Sequence, residues 1–219
     1  MANFSRDEAY NLLTSSDHRN YYDSWAKTYE QDFANKTSYI YPELIAGLLK
    51  NWIRSNNINL ADIGCGTGLI GEQLRETGWI IDGFDISEGM LVEAEKKKVY
   101  QKLICLDLEN ENEYPKEKYS ALVSSGSFTL GHLGPDVLRK TLGLCTIGSR
   151  CLLGVNLEHF EDMGFQTLFT NLQCENVIKN FEIISVPIYN QLNNLDDKKS
   201  FANVCKFEFI GRDNNFEEL

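Results

Sequence analysis

The chain has 219 residues, 42% of them hydrophobic, enough for one sizeable core and better suited to one domain than to two. Its 32 acidic and 21 basic residues give a formal charge of -11, a field that disfavours nucleic acid and other polyphosphates unless a local basic patch opposes it. The six cysteines (Cys65, Cys105, Cys145, Cys151, Cys174 and Cys205) form no C-x-x-C pair and read as reduced thiols, not as a disulfide framework or zinc site.

The segment before the first apolar run fits helices and reads as a cap over residues 1–40, with 41–219 as the core of the same domain. Within the cap, Tyr21, Trp25, Tyr29 and Phe33 recur at helical spacing along one stripe. Tyr10 and Tyr22 fall off that row, which leaves their hydroxyls free to meet a ligand. Strands are predicted over 58–63, 79–84, 102–106, 119–124 and 151–156, with helices over 69–76, 89–99 and, after Gly134-Pro135, 136–145. The basic run Lys96, Lys97 and Lys98 follows Glu93 and Glu95 and reads as a solvated helix face.

Alternating strands and helices predict a parallel sheet covered on both faces. Beyond it, 181–189 and 201–211 read as an antiparallel pair, because the polar loop "NQLNNLDDKKS" between them fits no helix. Pro187 puts the first of the pair at an edge or a bulge. The expected fold is α/β: a Rossmann-like, doubly wound, seven-stranded sheet, mostly parallel, with a C-terminal antiparallel hairpin and an N-terminal helical cap. The closing "RDNNFEEL" reads as a frayed tail. With no apolar run of membrane length and no secretory apolar region at the amino terminus, the expected setting is the cytoplasm, away from membranes.

"LADIGCGTGLIG" carries two overlapping fingerprints. Gly66, Gly68 and Gly71 spell the G-x-G-x-x-G of a dinucleotide site, and Asp62, Gly64, Gly66 and Gly68 spell D-x-G-x-G-x-G. Starting the loop at Gly66 would extend the strand through Gly64, a poor strand residue, whereas starting it at Gly64 fits the strand "NLADI". Gly71 then becomes a packing residue. Asp85 closes the second strand, where a carboxylate accepts hydrogen bonds from ribose hydroxyls, and Asp107 follows the third. Acidic groups at three successive strand ends suit a ligand bearing an ammonium, a sulfonium and an adenosine better than one bearing a pyrophosphate.

These residues resemble the class I S-adenosylmethionine-dependent methyltransferase family: "LADIGCGTG" its first motif, "IDGFDISEGML" its second, "LICLDLE" its third and "YSALVSSGSFTLGHL" its fourth-strand region. "YYDSWAKTYEQDF" followed by "DISEGMLVEA" is similar to the Williams-Beuren-region methyltransferase-like small methyltransferases. The resemblance implies an enzyme that uses S-adenosyl-L-methionine and releases S-adenosyl-L-homocysteine. Gly64, Gly66 and Gly68 would line the methionine part, with Cys65 in the same cofactor loop, and Asp62 would meet its amino group directly or through water. Asp85 would hold the ribose, Ile86 and Met90 would pack on adenine, Asp107 with Leu108 would bind its edge, and Ser87 would also belong to the cofactor site. Ser125 or Gly126 would approach the sulfonium, and Tyr21, Tyr22, Trp25 and Tyr29 would close over the ligand.

A general base is needed only when the nucleophile arrives protonated. His132 and His159, after the fourth and fifth strands, are the candidate catalytic bases; His18 is a weaker one. "SSGS" replaces the Asn/Asp-Pro-Pro-Tyr/Phe motif of base and glutamine methylation, and no carboxylate cluster suggests a metal. The expected partner is a small-molecule acceptor with an O or N nucleophile, on a monomer or homodimer. The alternatives are a protein methyltransferase, a protein that binds the cofactor without transferring methyl, and a nicotinamide-dependent oxidoreductase.

Overall fold

A computed structural model describes residues 4–190 and 196–211. Part of the connecting loop (191–195) and the tail after Gly211, read above as loop and frayed end, lie outside the described residues. The strands are β1 (Asn59–Ile63), β2 (Ile80–Asp85), β3 (Lys102–Cys105), β4 (Tyr119–Phe128), β5 (Cys145–Asn156), β6 (Ile178–Pro187) and β7 (Phe201–Phe209). They form one seven-stranded sheet in the order β3-β2-β1-β4-β5-β7-β6. β1 pairs in parallel with β2 and β4, β2 with β3 and β4 with β5, while β7 runs antiparallel to both β5 and β6. The mostly parallel sheet and the antiparallel β6/β7 pair match the sequence expectation.

The pair is not simply appended to an edge. From β5 the chain crosses to the outermost position, forms β6, and returns as β7 to fill the slot between them. β6 therefore points the same way as the first five strands, and Ile188 and Tyr189 emerge at the sheet edge where the loops after β1 to β5 lie. Pro187 ends this edge strand, a position that tolerates a missing backbone donor.

The helices are α1 (Arg6–Ala9), α2 (Ser15–Trp25), α3 (Tyr41–Trp52), α4 (Leu69–Leu74), α5 (Glu88–Lys96), α6 (Pro135–Thr141), α7 (Leu157–Asp162) and α8 (Phe165–Cys174). Local chemistry sets their starts. Thr14 and Asp17 form a capping box at α2, the Ser87 hydroxyl accepts from the Met90 N–H at α5, and Asn156 accepts from the His159 N–H at α7.

α6 stops at Thr141, a turn of 3-10 helix follows, and Cys145 already belongs to β5, so the helix expected to reach Cys145 is shorter and the strand longer than the apolar run suggests. β4 likewise continues through the polar "SSGSF", because the Ser124 and Ser127 hydroxyls donate to the Ile63 carbonyl at 2.7 and 3.1 Å. The cap is not one helix either. α2 gives way to a π-helical stretch, Glu30–Asn35, yet Trp25, Tyr29 and Phe33 stay in contact, with ring centroids 5.0 Å (Trp25–Tyr29) and 5.4 Å (Tyr29–Phe33) apart.

Both faces of the sheet are buried. Leu60, Ile81 and Val123 pack with Ile45 and Leu49 of α3 on one side; Ile63, Phe84 and Leu153 pack in the layer that includes Phe165 and Phe169 of α8 on the other. Each such side chain contributes roughly 1.5–3 kcal/mol on burial, which fixes the strand ends as a rigid platform for what lies above them.

Candidate active site

The carboxyl ends of the strands face a cavity of about 280 Å³ whose lining also draws on the cap through Arg6, Tyr10, Tyr22, Trp25, Tyr29 and Phe33. Open α/β sheets bind ligands at this edge, where the strand order reverses, and here the reversal falls between β1 and β4.

Gly64 follows β1 with φ +64°, and a Cβ there would lie 1.8 Å from the Ser127 hydroxyl, so the loop turns only if this position is glycine. The turn brings the Gly66 N–H to Asp85 Oδ2 at 2.8 Å, while the Ser87 N–H donates to Asp85 Oδ1 at 2.9 Å. Burial pushes the Asp85 carboxyl up to about 6, against the pull of these two donors. Each oxygen spends one lone pair on the protein and keeps another, so the carboxylate can still accept from two hydroxyls. Ile86, Met90, Asp107 and Leu108 line the same end; Gly64, Gly66, Ser125 and Gly126 line the middle.

Tyr21, Asp62, Cys65, Gly68, Ser87 and His159 do not line the cavity, although the sequence points to all six. Asp62 is 1% exposed; its Oδ2 accepts from the Tyr100 hydroxyl at 2.7 Å and its Oδ1 has no protein partner. Burial pushes this carboxyl up to about 7. The Tyr100 hydroxyl also accepts the Gly71 N–H at 3.2 Å, and its ring fills the space of a Gly71 Cβ, 2.5 Å away. Gly71 is thus a packing residue against Tyr100, a contact that no local sequence signal announces.

Gly68 starts α4 in the left-handed region, and the Cys65 sulfur packs toward Gly83 of β2. Besides capping α5, Ser87 donates its hydroxyl to Asp23 of α2 at 2.6 Å. Tyr21 donates to the Ser5 carbonyl at 2.9 Å and pins α1. His159 is 3% exposed, bonds the Leu133 carbonyl through Nε2 at 3.0 Å and packs on Phe165, which corrects its reading as a base facing the ligand.

His132 does line the cavity. Its Nδ1 lies 2.9 Å from the Leu130 carbonyl, which only accepts, so Nδ1 carries the proton and Nε2 accepts the Tyr22 hydroxyl at 2.8 Å. Burial pushes His132 down to about 4, so it is neutral at physiological pH, and burial raises the phenols of Tyr22 and Tyr39, which stay protonated donors. His18 packs 4.4 Å from His132, with its Nε2 2.9 Å from the Gly131 carbonyl. Arg6, Tyr39, Asn156 and Tyr189, none of them marked by a motif, complete this end.

The cap is fastened at both sides of α5. Asp23 Oδ1 accepts from Ser87 and from the Gly89 N–H at 2.8 Å. Lys97 reaches Glu30 at 3.1 Å and Glu72 at 2.7 Å, so the middle of the basic run is an internal tie. Among the described residues, no group of three or more His, Cys, Asp or Glu is placed to hold a metal, and no helix is long and apolar enough to cross a membrane.

Residues 60–146 match a family model described as a methyltransferase domain. Over 117 residues the chain is 32% identical to human methyltransferase-like protein 27, a match covering 52% of this chain and 47% of that protein. The chain therefore spans less than half the length of this curated relative. Among solved structures it resembles a magnesium protoporphyrin IX methyltransferase from Synechocystis PCC 6803 with bound S-adenosylmethionine (TM-score 0.63, 16% identity, 91% of this chain and 99% of that one). It also resembles a TehB-like S-adenosylmethionine-dependent methyltransferase from Corynebacterium glutamicum (TM-score 0.59, 18% identity, 87% and 98%). The fold is that of the class I S-adenosylmethionine-dependent methyltransferases.

Proposed function

We propose that this chain, with its methyltransferase domain over residues 60–146, is an S-adenosylmethionine-dependent methyltransferase acting on an O or N nucleophile of a small molecule. The observation that carries the reading is the Asp85 carboxylate, tied to Gly66 and Ser87 and still able to accept from two ribose hydroxyls at the cavity wall. The same geometry disfavours a dinucleotide. A pyrophosphate needs free backbone donors in the glycine loop, and the Gly66 N–H is already taken by a carboxylate.

The cofactor fits the residues present. Asp85 suits the ribose, Ile86 and Met90 give an apolar wall for adenine, and Asp107, after β3, lines the same end and would suit the base edge. Asp62, behind the wall, keeps one oxygen without a protein partner, and an ammonium on that side would favour its ionised form, which burial otherwise disfavours. When bound, the cofactor supplies a methyl on a sulfonium: the acceptor's lone pair forms the new bond as the sulfur–carbon bond breaks and a neutral thioether leaves.

Positioning does most of the work in such a displacement. Where the acceptor carries a proton, Tyr22 takes it on its hydroxyl oxygen while passing its own proton to His132 Nε2. His132 is available for this because it is neutral, but its depressed basicity makes it a weak base. That favours acceptors that are nucleophilic on arrival or lose their proton readily.

Incubation with methyl-labelled S-adenosylmethionine and a fractionated cell extract tests the reading. Protein-dependent label in the small-molecule fraction is the expected result. Label in the protein fraction alone would make it a protein methyltransferase, and binding without any label would make it a non-transferring cofactor protein.

A further inference from the structure

We propose that Arg6 is the anchor for a carboxylate on the methyl acceptor, an inference that rests on the methyltransferase reading. Asp85 and Asp107 sit beyond β2 and β3, at one edge of the sheet order, whereas Arg6 meets Tyr189, which follows β6 at the other edge. The two ends of the cavity therefore differ in charge. Among the described residues that line it, Arg6 is the one arginine or lysine, and the lining histidines, His18 and His132, are held neutral by burial.

Arg6 is oriented mainly by groups that carry no charge. Its guanidinium lies 5.6 Å from the Tyr10 ring centre and 5.8 Å from that of Tyr189, and Nη1 donates to the Tyr189 hydroxyl at 3.2 Å. The carboxylate it meets is Asp7, whose side chain is 79% exposed and which takes Nε and Nη2 at long range, 3.4 and 3.5 Å. Of the five guanidinium protons, three are so engaged, leaving one on each terminal nitrogen for a further acceptor. The Tyr189 hydroxyl accepts from Arg6 and so keeps its own proton to donate.

Beside Asn156, this end carries three aromatic rings. Phe33, Tyr39 and Tyr189 pack on one another at 5.1 to 6.3 Å, walls suited to a planar or aliphatic body. Such a cage would also take an ammonium if it stood alone, but Arg6 in the same walls repels one.

The test uses the full chain loaded with S-adenosylhomocysteine and three probes of one shape: 3-phenylpropionate, 3-phenylpropionamide and 3-phenylpropylamine, each titrated by calorimetry. The expected result is that the carboxylate binds at least about tenfold more tightly than the amide and the amine. Arg6→Met should erase that preference and leave S-adenosylhomocysteine affinity within about twofold of wild type, while Arg6→Lys retains part of the preference. Equal affinity for the three probes, or a preference for the amine, overturns the inference. So does a parallel loss of S-adenosylhomocysteine affinity in Arg6→Met, which would assign Arg6 to the cofactor's own carboxylate. Failure of wild type to bind S-adenosylhomocysteine overturns the methyltransferase reading itself, a separate outcome read before any probe is added.

Discussion

The two ends of the cavity are built differently. At the β1 to β3 end, a carboxylate is gripped by backbone N–H groups of a glycine loop and a helix start, so its position follows from strand pairing. At the β4 to β6 end, side chains from distant segments meet: Tyr22 of α2 with His132 after β4, Arg6 of α1 with Tyr189 after β6. A backbone-built end can serve one fixed ligand, whereas a side-chain-built end can be retailored to different acceptors by substitution.

The sharpest way to break this comparison is Asp85. Asp85→Ala removes a charged acceptor from two hydroxyls and frees the Gly66 and Ser87 N–H groups, so calorimetry should show S-adenosylhomocysteine affinity falling by about a hundredfold or more. Asp85→Asn keeps one acceptor oxygen, and a loss of about tenfold is expected. Unchanged affinity in both variants would mean that the ribose does not sit there.

Next in size is the acceptor end. Tyr22→Phe leaves His132 Nε2 without its donor and interrupts proton transfer, so label transfer should slow by about 10- to 100-fold while S-adenosylhomocysteine affinity stays within a few-fold. Equal losses of rate and affinity would erase the distinction between the two ends.

Tyr100→Phe acts on neither end directly. It strips the buried Asp62 of its donor and orphans the Gly71 N–H, and a stability loss of about 1–3 kcal/mol by chemical denaturation is expected, with little change in ligand affinity.

The smallest effect is on pH dependence. The fold holds Asp85 at about 6 and Asp62 at about 7, above the ordinary 3.8, so it favours their protonated forms. Their stabilising contribution is complete below about pH 4 and is lost as pH rises through 6 and 7. A ligand that hydrogen-bonds ionised Asp85 lowers its pKa again, so binding should release protons between about pH 4 and 7, and affinity should climb over that range. Calorimetry at about pH 5.5 in two buffers of different ionisation enthalpy reads the sign; proton uptake would contradict it.

How much the sequence reveals follows the same division. "LADIGCGTG", Asp85 and Asp107 are legible because each lies at a strand end and strand ends are marked by apolar runs and glycines. The seven strands are legible for the same reason, but the seat of β7 between β5 and β6 is not, since it depends on pairing between distant segments. Tyr10 and Tyr22 can be singled out by their departure from the aromatic stripe, although nothing says what they meet. Arg6, Tyr39, Tyr100 and Tyr189 are silent, because their roles arise only when the cap closes on the sheet edge or a loop folds under β1. His159 shows the converse: its place after β5 suggests the cavity, yet Asn156 caps α7 and turns the ring inward beneath Leu133.

The central claim is that the end of the cavity at Asp85 takes S-adenosylmethionine and not a dinucleotide. Calorimetric titration of the wild-type chain with S-adenosylhomocysteine and, separately, NADH tests it most directly. The account predicts saturable binding of S-adenosylhomocysteine and no heat from NADH; saturable binding of NADH with no response to millimolar S-adenosylhomocysteine would contradict it.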